Sequence, residues 1–223
     1  MIKFLITLFF IFSTKAFAWQ NDMSLKGGLG LSQATIHAFD KSEDHMTGFG
    51  FNTQFGYRFS KWEINLASYF YWGKIDDLRF RANGTSVVGS GVFRHVSFGP
   101  VFKYIFEWQP KKGWHFYAGL GPTWSMQTVK LEQFQASSGD FNSDYKLTYI
   151  SRGGMLAIGI EELLPFKEMH PVYFEILYSY KKSKDVSLVD ASNFAEVRTI
   201  STEESEQDIR GSFIMINAGI TLF

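Results

Sequence analysis

The chain has 223 residues, a length that suits one domain, and its 22 basic and 22 acidic residues balance. This balance gives no strongly basic field, which argues against nucleic acid as a partner. The chain has no cysteine, so disulfides cannot stabilise it. Aromatic residues make up 18% of the chain, an excess that any assignment of fold must explain.

The first 18 residues have the pattern of a cleaved export signal. Lys3 provides a basic start, residues 4–12 are apolar apart from Thr7, and residues 16–18 form a small-x-small cleavage site before Trp19. The apolar run is shorter than the roughly 20 residues that a transmembrane helix needs. We predict that residues 1–18 are removed, which leaves one domain over 19–223 with 20 Lys and Arg against 22 Asp and Glu.

After this segment the dominant pattern is alternation of apolar and polar residues, which is typical of β-strands. It is clearest in residues 48–60, where every odd position except Thr53 is aromatic and every even position is glycine or polar. About ten residues of tilted strand are enough to cross a bilayer. The same alternation predicts eight strands, marked in chain order by Met23, Gly48, Trp62, Val92, Trp114, Ile150, Val172 and Ile214.

The connections between these strands alternate in length. Those after strands two, four and six are short, whereas those after strands one, three, five and seven are longer and polar. Transmembrane barrels have short periplasmic turns and long extracellular loops. Turn signals at Asn83-Gly84 and at residues 137–140 lie within long connections, which predicts hairpins that extend beyond the bilayer. The predicted fold is all-β: an eight-stranded antiparallel up-and-down transmembrane β-barrel.

The polar face of the strands indicates which side faces the lumen. It is rich in glycine and serine, which suits the narrow interior of an eight-stranded barrel, whereas a soluble exterior would carry more lysine and glutamate. Its charges balance, with four of each sign, and predict a network of ion pairs that occludes the lumen. The predicted lumen network consists of Lys26, Arg58, Glu63, Lys103, Glu107, Glu161, Glu175 and Lys181.

Aromatic residues cluster at both ends of the predicted strands, as in the girdles at membrane interfaces. By this pattern the chain resembles the small eight-stranded outer-membrane barrels typified by outer-membrane proteins A, X and W. The resemblance implies a monomer in the outer membrane of a Gram-negative bacterium, inserted by the barrel-assembly machinery. Phe223, which ends the last strand, resembles the signal that this machinery reads.

Two arginines interrupt the predicted lipid-facing surface. Arg94 and Arg152 occupy alternate positions that are otherwise apolar in their strands, and both lie near the outer rim. A guanidinium at that height either binds lipopolysaccharide phosphates or extends into water. We predict that both arginines contact lipopolysaccharide and that the partners of the barrel are the outer-membrane lipids.

Two groups of polar residues resemble reactive sites. Residues 95–97 (His-Val-Ser) resemble the His-x-Ser core of lipid A deacylases, but the following residues do not continue that pattern. A triad would also need a carboxylate, and the next inward-facing acid, Glu107, lies roughly 40 Å of extended strand away. His37, Asp40 and Ser42 resemble the polar trio of lipid A palmitoyltransferases, a family with an apolar interior.

Acidic residues occur in two predicted loop regions, at 43–45 and 203–208. Such runs can bind divalent cations, but they are more often solvated, and no catalytic residue, metal or cofactor is predicted. The leading hypothesis is an outer-membrane barrel with a structural or surface-interaction role rather than an enzyme. The alternatives are a lipid A-modifying enzyme of the deacylase or acyltransferase type, and a narrow channel for small solutes.

Overall fold

A computed structural model describes residues 23–37, 43–82, 85–106, 113–136, 145–162, 170–190, 197–199 and 210–222. The strands are β1 (Met23–His37), β2 (Glu43–Phe59), β3 (Trp62–Ala82), β4 (Thr85–Ile105), β5 (Trp114–Ala136), β6 (Tyr145–Glu162), β7 (Val172–Asp190), β8 (Val197–Thr199) and β9 (Arg210–Thr221). The predicted export signal at 1–18 and Phe223 lie outside the described residues. Within the described ranges, no helix is long and apolar enough to cross a membrane.

Eight of these strands close into a barrel. Consecutive strands from β1 to β7 pair antiparallel, and β9 pairs with β7 on one side and β1 on the other. The predicted eight-stranded antiparallel up-and-down barrel is therefore confirmed. Closure leaves no unpaired strand edge in the barrel wall. The short strand β8, which the alternation did not predict, pairs with residues 187–189 of β7.

The two ends of the barrel differ. At one end β2 and β3 are joined by a tight turn in which Ser60 has a φ of 57°, the left-handed conformation that two-residue hairpins require. We call this the short-turn end and the opposite end the long-loop end. Strands β3 and β4 each have 21 residues and β5 has 23, whereas about 9–11 residues cross a bilayer. The predicted long hairpins are thus present.

The barrel is apolar outside and polar within. Large hydrophobic side chains on the outer face are exposed, among them Leu29 at 73%, Phe49 at 66% and Leu120 at 65%. The inward positions of the same strands hold buried polar side chains. This is the reverse of a soluble protein, which rarely exposes a continuous apolar surface. The face assignments made from parity agree with the structure.

Candidate functional site

Among the described residues, six buried or half-buried charged side chains lie in the lumen near the short-turn end, three of each sign. We call this set the closed network: Lys26, Arg58, Lys103, Glu63, Glu161 and Glu175. Lys26 Nζ lies 2.8 Å from Glu63 Oε1 and 2.5 Å from Glu161 Oε2. The guanidinium of Arg58 pairs with the same two carboxylates. Two cations therefore share two anions, which compensates charges that would be very costly to bury alone.

The rest of the closed network is centred on Glu175. Lys103 Nζ lies 2.9 Å from Glu175 Oε2, and the Tyr117 hydroxyl donates to the same oxygen at 2.9 Å. The other oxygen accepts from Gln54 Nε2 at 3.0 Å and from the Tyr69 hydroxyl at 3.2 Å. With four donors on its two oxygens, this carboxylate is fully hydrogen-bonded in the lumen.

Glycine makes room for these large side chains. A Cβ at Gly159 would lie 2.4 Å from the hydroxyl oxygen of Tyr117, so only glycine allows the ring to reach Glu175. Lys103 Nζ also lies 4.3 Å from the centre of the Tyr117 ring, which adds a cation–π contact. Glycine on the inward face is thus a packing requirement of the closed network.

The structure brings together six of the eight residues expected in the lumen network. Glu107 lies outside the described residues. Lys181 points inward but does not join the network, which corrects the expectation from sequence. Alternation predicts which face of the strand a side chain occupies, but not which residue it contacts. Lys181 lies six residues beyond Glu175 along β7, which is about 20 Å of strand at 3.3 Å per residue.

Lys181 instead forms a second lumen site toward the long-loop end. Its Nζ lies 2.9 Å from His95 Nε2, and the two side chains are 94% or more buried. The His95 ring stacks on Phe213 with 4.3 Å between centroids, and Lys181 Nζ lies 5.2 Å from the same ring. His95 Nδ1 has no hydrogen-bond partner in the part of the chain that the structure describes.

The second lumen site borders a small, partly open recess. The lining residues are Thr35, His95, Gln127, Tyr149, Ser151, Lys181, Ser183, Arg210, Gly211, Ser212 and Phe213. We call this space the upper recess. Sequence reasoning placed Lys181 and His95 on the inward face, but it did not bring them together, because only the strand register and barrel closure do so.

The arrangement around His95 does not resemble a hydrolytic triad. His95 and Ser97 are both buried and inward-facing, as their parity predicts. The nitrogen of His95 that makes a hydrogen bond faces an ammonium, and no described carboxylate pairs with the ring. A base that activates a serine needs an acceptor carboxylate behind it rather than a cation.

The other candidate sites lie largely outside the described residues. Asp40, Ser42 and residues 203–208 are not described, and neither are the side chains of His37 and residues 43–45. Among the side chains that are described, no group of three His, Cys, Asp or Glu could hold a metal ion.

Arg94 and Arg152 are exposed on the outer face toward the long-loop end. The register pairs Arg94 with Trp72 and Thr128, and it pairs Arg152 with Trp124 and Lys182. Each arginine therefore lies beside a tryptophan at the upper part of the apolar surface, where amphipathic rings are common in membrane barrels.

Among the side chains that the structure describes, five more cations are exposed on the outer face at this end, and the alternation alone did not single them out. With the two arginines they form what we call the outward basic belt: Lys74, Arg94, Lys130, Lys146, Arg152, Lys182 and Arg210. The register makes several of them direct cross-strand partners, namely Lys130 with Lys146, Arg152 with Lys182, and Lys182 with Arg210. The sequence shows that these cations occupy outward-facing alternate positions, but only the strand register shows that they are neighbours.

No protein-family model matches this sequence, and no curated protein matches it. Solved structures of similar architecture do exist. Neisserial surface protein A is 16% identical, with 88% of this chain and 96% of that one covered and a TM-score of 0.45. The outer membrane protein OprG from Pseudomonas aeruginosa is 14% identical, with 90% and 95% covered and a TM-score of 0.45.

A further similar structure is Ail, the attachment invasion locus protein of Yersinia pestis. It is 15% identical, with 90% of this chain and 99% of that one covered and a TM-score of 0.40. The chain is thus similar to small outer-membrane barrels, the class that the sequence pattern resembled.

Proposed function

We propose that this chain is an integral, monomeric barrel of a Gram-negative outer membrane, inserted by the barrel-assembly machinery, with a structural and surface-interaction role. In this proposal the lumen does not conduct, and the outward basic belt binds the phosphates of lipopolysaccharide. The observation that carries the proposal is the outer face, which is apolar along the barrel and carries a group of exposed cations toward the long-loop end.

The apolar part of this face supports a membrane location. Side chains such as Leu31 at 68%, Leu120 at 65% and Ile216 at 60% are exposed on three different strands. Each fully exposed aliphatic side chain would cost about 1.5–3 kcal/mol in water relative to an apolar surrounding. In hydrocarbon, backbone polar groups must also be hydrogen-bonded within the protein, and the closed barrel meets this requirement because all wall strands are paired.

The outward basic belt supports the orientation and the partner. Its cations follow the apolar face at one end, and Arg94 and Arg152 lie beside tryptophans there. The outer leaflet presents phosphorylated glycolipid, and arginine binds phosphate through two parallel hydrogen bonds. This arrangement supports phosphate binding at the rim rather than simple exposure to water.

The closed network supports a barrel without a wide pore. Seven of the eight wall strands supply a charged, amide or hydroxyl group to the two clusters around Glu63 and Glu175. The eighth, β9, supplies Asn217, which accepts a hydrogen bond from Tyr71 at 2.5 Å. A narrow channel therefore needs these ion pairs to open, and planar-bilayer recordings of purified protein test it. Large, discrete single-channel openings would contradict the proposal.

The enzyme alternative lacks an assembled site in the described residues, since His95 faces Lys181. Mass analysis of lipid A from cells with and without the protein tests it directly. A change in acylation that is lost with His95→Ala would favour the lipid A-modifying enzyme over the proposed role.

Localisation and lipid binding have separate experiments. Membrane fractionation should recover the protein with outer-membrane markers and with Trp19 as its first residue, and recovery from the cytosol would exclude the proposal.

Lipopolysaccharide retained on protein purified in non-ionic detergent should fall when Arg94→Leu and Arg152→Leu are combined. Lys61→Leu, which removes an exposed cation at the short-turn end, is the matched control. Retention that is equal in all three proteins would exclude the belt as a lipid site.

A further inference from the structure

The two lumen sites differ in how their charges are compensated. In the closed network every described cation lies within 4 Å of a carboxylate. Lys181 is 94% buried, and its ammonium has only His95 as a polar neighbour within hydrogen-bond distance and Phe213 as a ring neighbour in the described structure. A buried charge without a counter-ion is costly, so an anion that reached this position would be bound favourably.

The walls of the upper recess carry donors suited to such an anion. Ser151 Oγ and Ser183 Oγ lie 2.8 Å apart and border this space. Each hydroxyl can turn its hydrogen toward a ligand oxygen. The described lining contains no aspartate or glutamate, so nothing in it repels an anion.

His95 adds a further polar atom to the same site. The ring is 98% buried, and its Nδ1 has no hydrogen-bond partner in the described structure. Stacking on Phe213 holds the ring in place. A buried polar atom without a partner loses free energy unless a ligand or water satisfies it.

We propose that the upper recess is a binding site for a small phosphoryl oxyanion, held by Lys181 and by the hydroxyls of Ser151 and Ser183. A tetrahedral oxyanion offers several acceptor oxygens, which matches a site made of one buried ammonium and two hydroxyl donors. The ligand enters from the long-loop end. It does not cross the barrel, because the closed network fills the lumen beyond. The site therefore binds and does not transport. This inference goes beyond the proposed function, since it concerns the lumen rather than the outer face.

The experiment measures binding of two probes to the folded full-length barrel in non-ionic detergent by calorimetry. Inorganic phosphate represents a free ion, and glucose 1-phosphate represents the phosphorylated sugar of a glycolipid. Lys181→Met removes the lumen cation, and Lys182→Met removes the same charge one residue along β7 but on the outer face. We expect at least one probe to bind to the wild type, about tenfold or more weakly to K181M, and equally to K182M.

The relative affinities of the two probes then identify the source of the phosphoryl group. Heat-modified migration in detergent gels checks that each variant is folded, and Lys181→Gln replaces K181M if that variant does not fold. The proposal is overturned if neither probe binds to the wild type, or if the Lys181 variants bind as the wild type does. It is also overturned if K182M weakens binding as much as K181M, because the outer face would then hold the ligand.

Discussion

The two halves of the lumen are built from the same strands and the same alternation, yet they treat charge differently. Near the short-turn end, three cations and three carboxylates compensate one another, and two tyrosines donate to Glu175. Near the long-loop end, Lys181 lies beside His95 and borders an open recess. The same inward position can therefore stabilise the barrel in one half and provide a place for a ligand in the other.

The largest expected effect comes from breaking a pair in the compensated half. Lys103→Met leaves Glu175 buried without its cation, and we expect the free energy of unfolding to fall by about 3–5 kcal/mol. Denaturant titration of the barrel in lipid vesicles measures it. Adding Glu175→Gln in the same chain should restore part of the loss, because the unpaired charge is then gone while the amide oxygen can still accept from the tyrosine hydroxyls. A double variant as unstable as K103M would contradict the role given to the pair.

The two halves are also expected to differ in how tightly they are packed, with a smaller effect on the free energy of unfolding. Gly159→Ala places a methyl group 2.4 Å from the Tyr117 hydroxyl oxygen, and we expect a loss of about 1–3 kcal/mol from overpacking. Gly211→Ala is the matched change in the upper recess, where the nearest atom is the Thr35 carbonyl oxygen at 3.2 Å. We expect G211A to be much milder. Equal losses in the same vesicle titration would mean that the upper recess is as tightly packed as the closed network.

A single neutral hydrogen bond gives the next effect. Tyr71→Phe removes the hydroxyl that donates to Asn217 Oδ1 at 2.5 Å, and we expect about 0.5–1.5 kcal/mol of destabilisation. Asn217→Ala combined with Tyr71→Phe should cost little more than the larger single loss, because both changes remove the same bond. Additive losses in this double-mutant cycle would show that the two residues do not interact.

The smallest expected effect is on the uncompensated cation. Without added anion, Lys181→Met should change the free energy of unfolding by no more than about 1 kcal/mol, in either direction, because it leaves no buried carboxylate behind. The comparison with Lys103→Met uses the same substitution in the two halves. A loss from K181M as large as that from K103M would mean that Lys181 has a structural partner equivalent to Glu175.

Much of the fold was predictable because it depends on the period of two. Alternation identified the eight wall strands, the inward face of His95 and Ser97, and the outward face of Arg94 and Arg152. The length of connections predicted which hairpins are long. These features are local, so a single sequence carries them.

The partners in the lumen were less predictable because they depend on register and closure. Lys181 shares a parity with Glu175, but its neighbour His95 comes from β4, across the lumen. The outward basic belt likewise depends on pairings such as Lys130 with Lys146, which the sequence does not display. The three-residue strand β8 is too short for alternation to be recognised.

The closed network also has a consequence for how the barrel forms. Lys26 lies on β1 and its partner Glu161 is 135 residues away on β6, while Gln54 and Glu175 are 121 residues apart. Contacts so distant in sequence form only after the chain ends have met, which makes them slow and late. Until β9 pairs with β1 the charged groups remain hydrated, and a partly inserted sheet would present them to hydrocarbon. Assembly is therefore expected to be concerted, with the last seam of the wall and the burial of the lumen charges completed together.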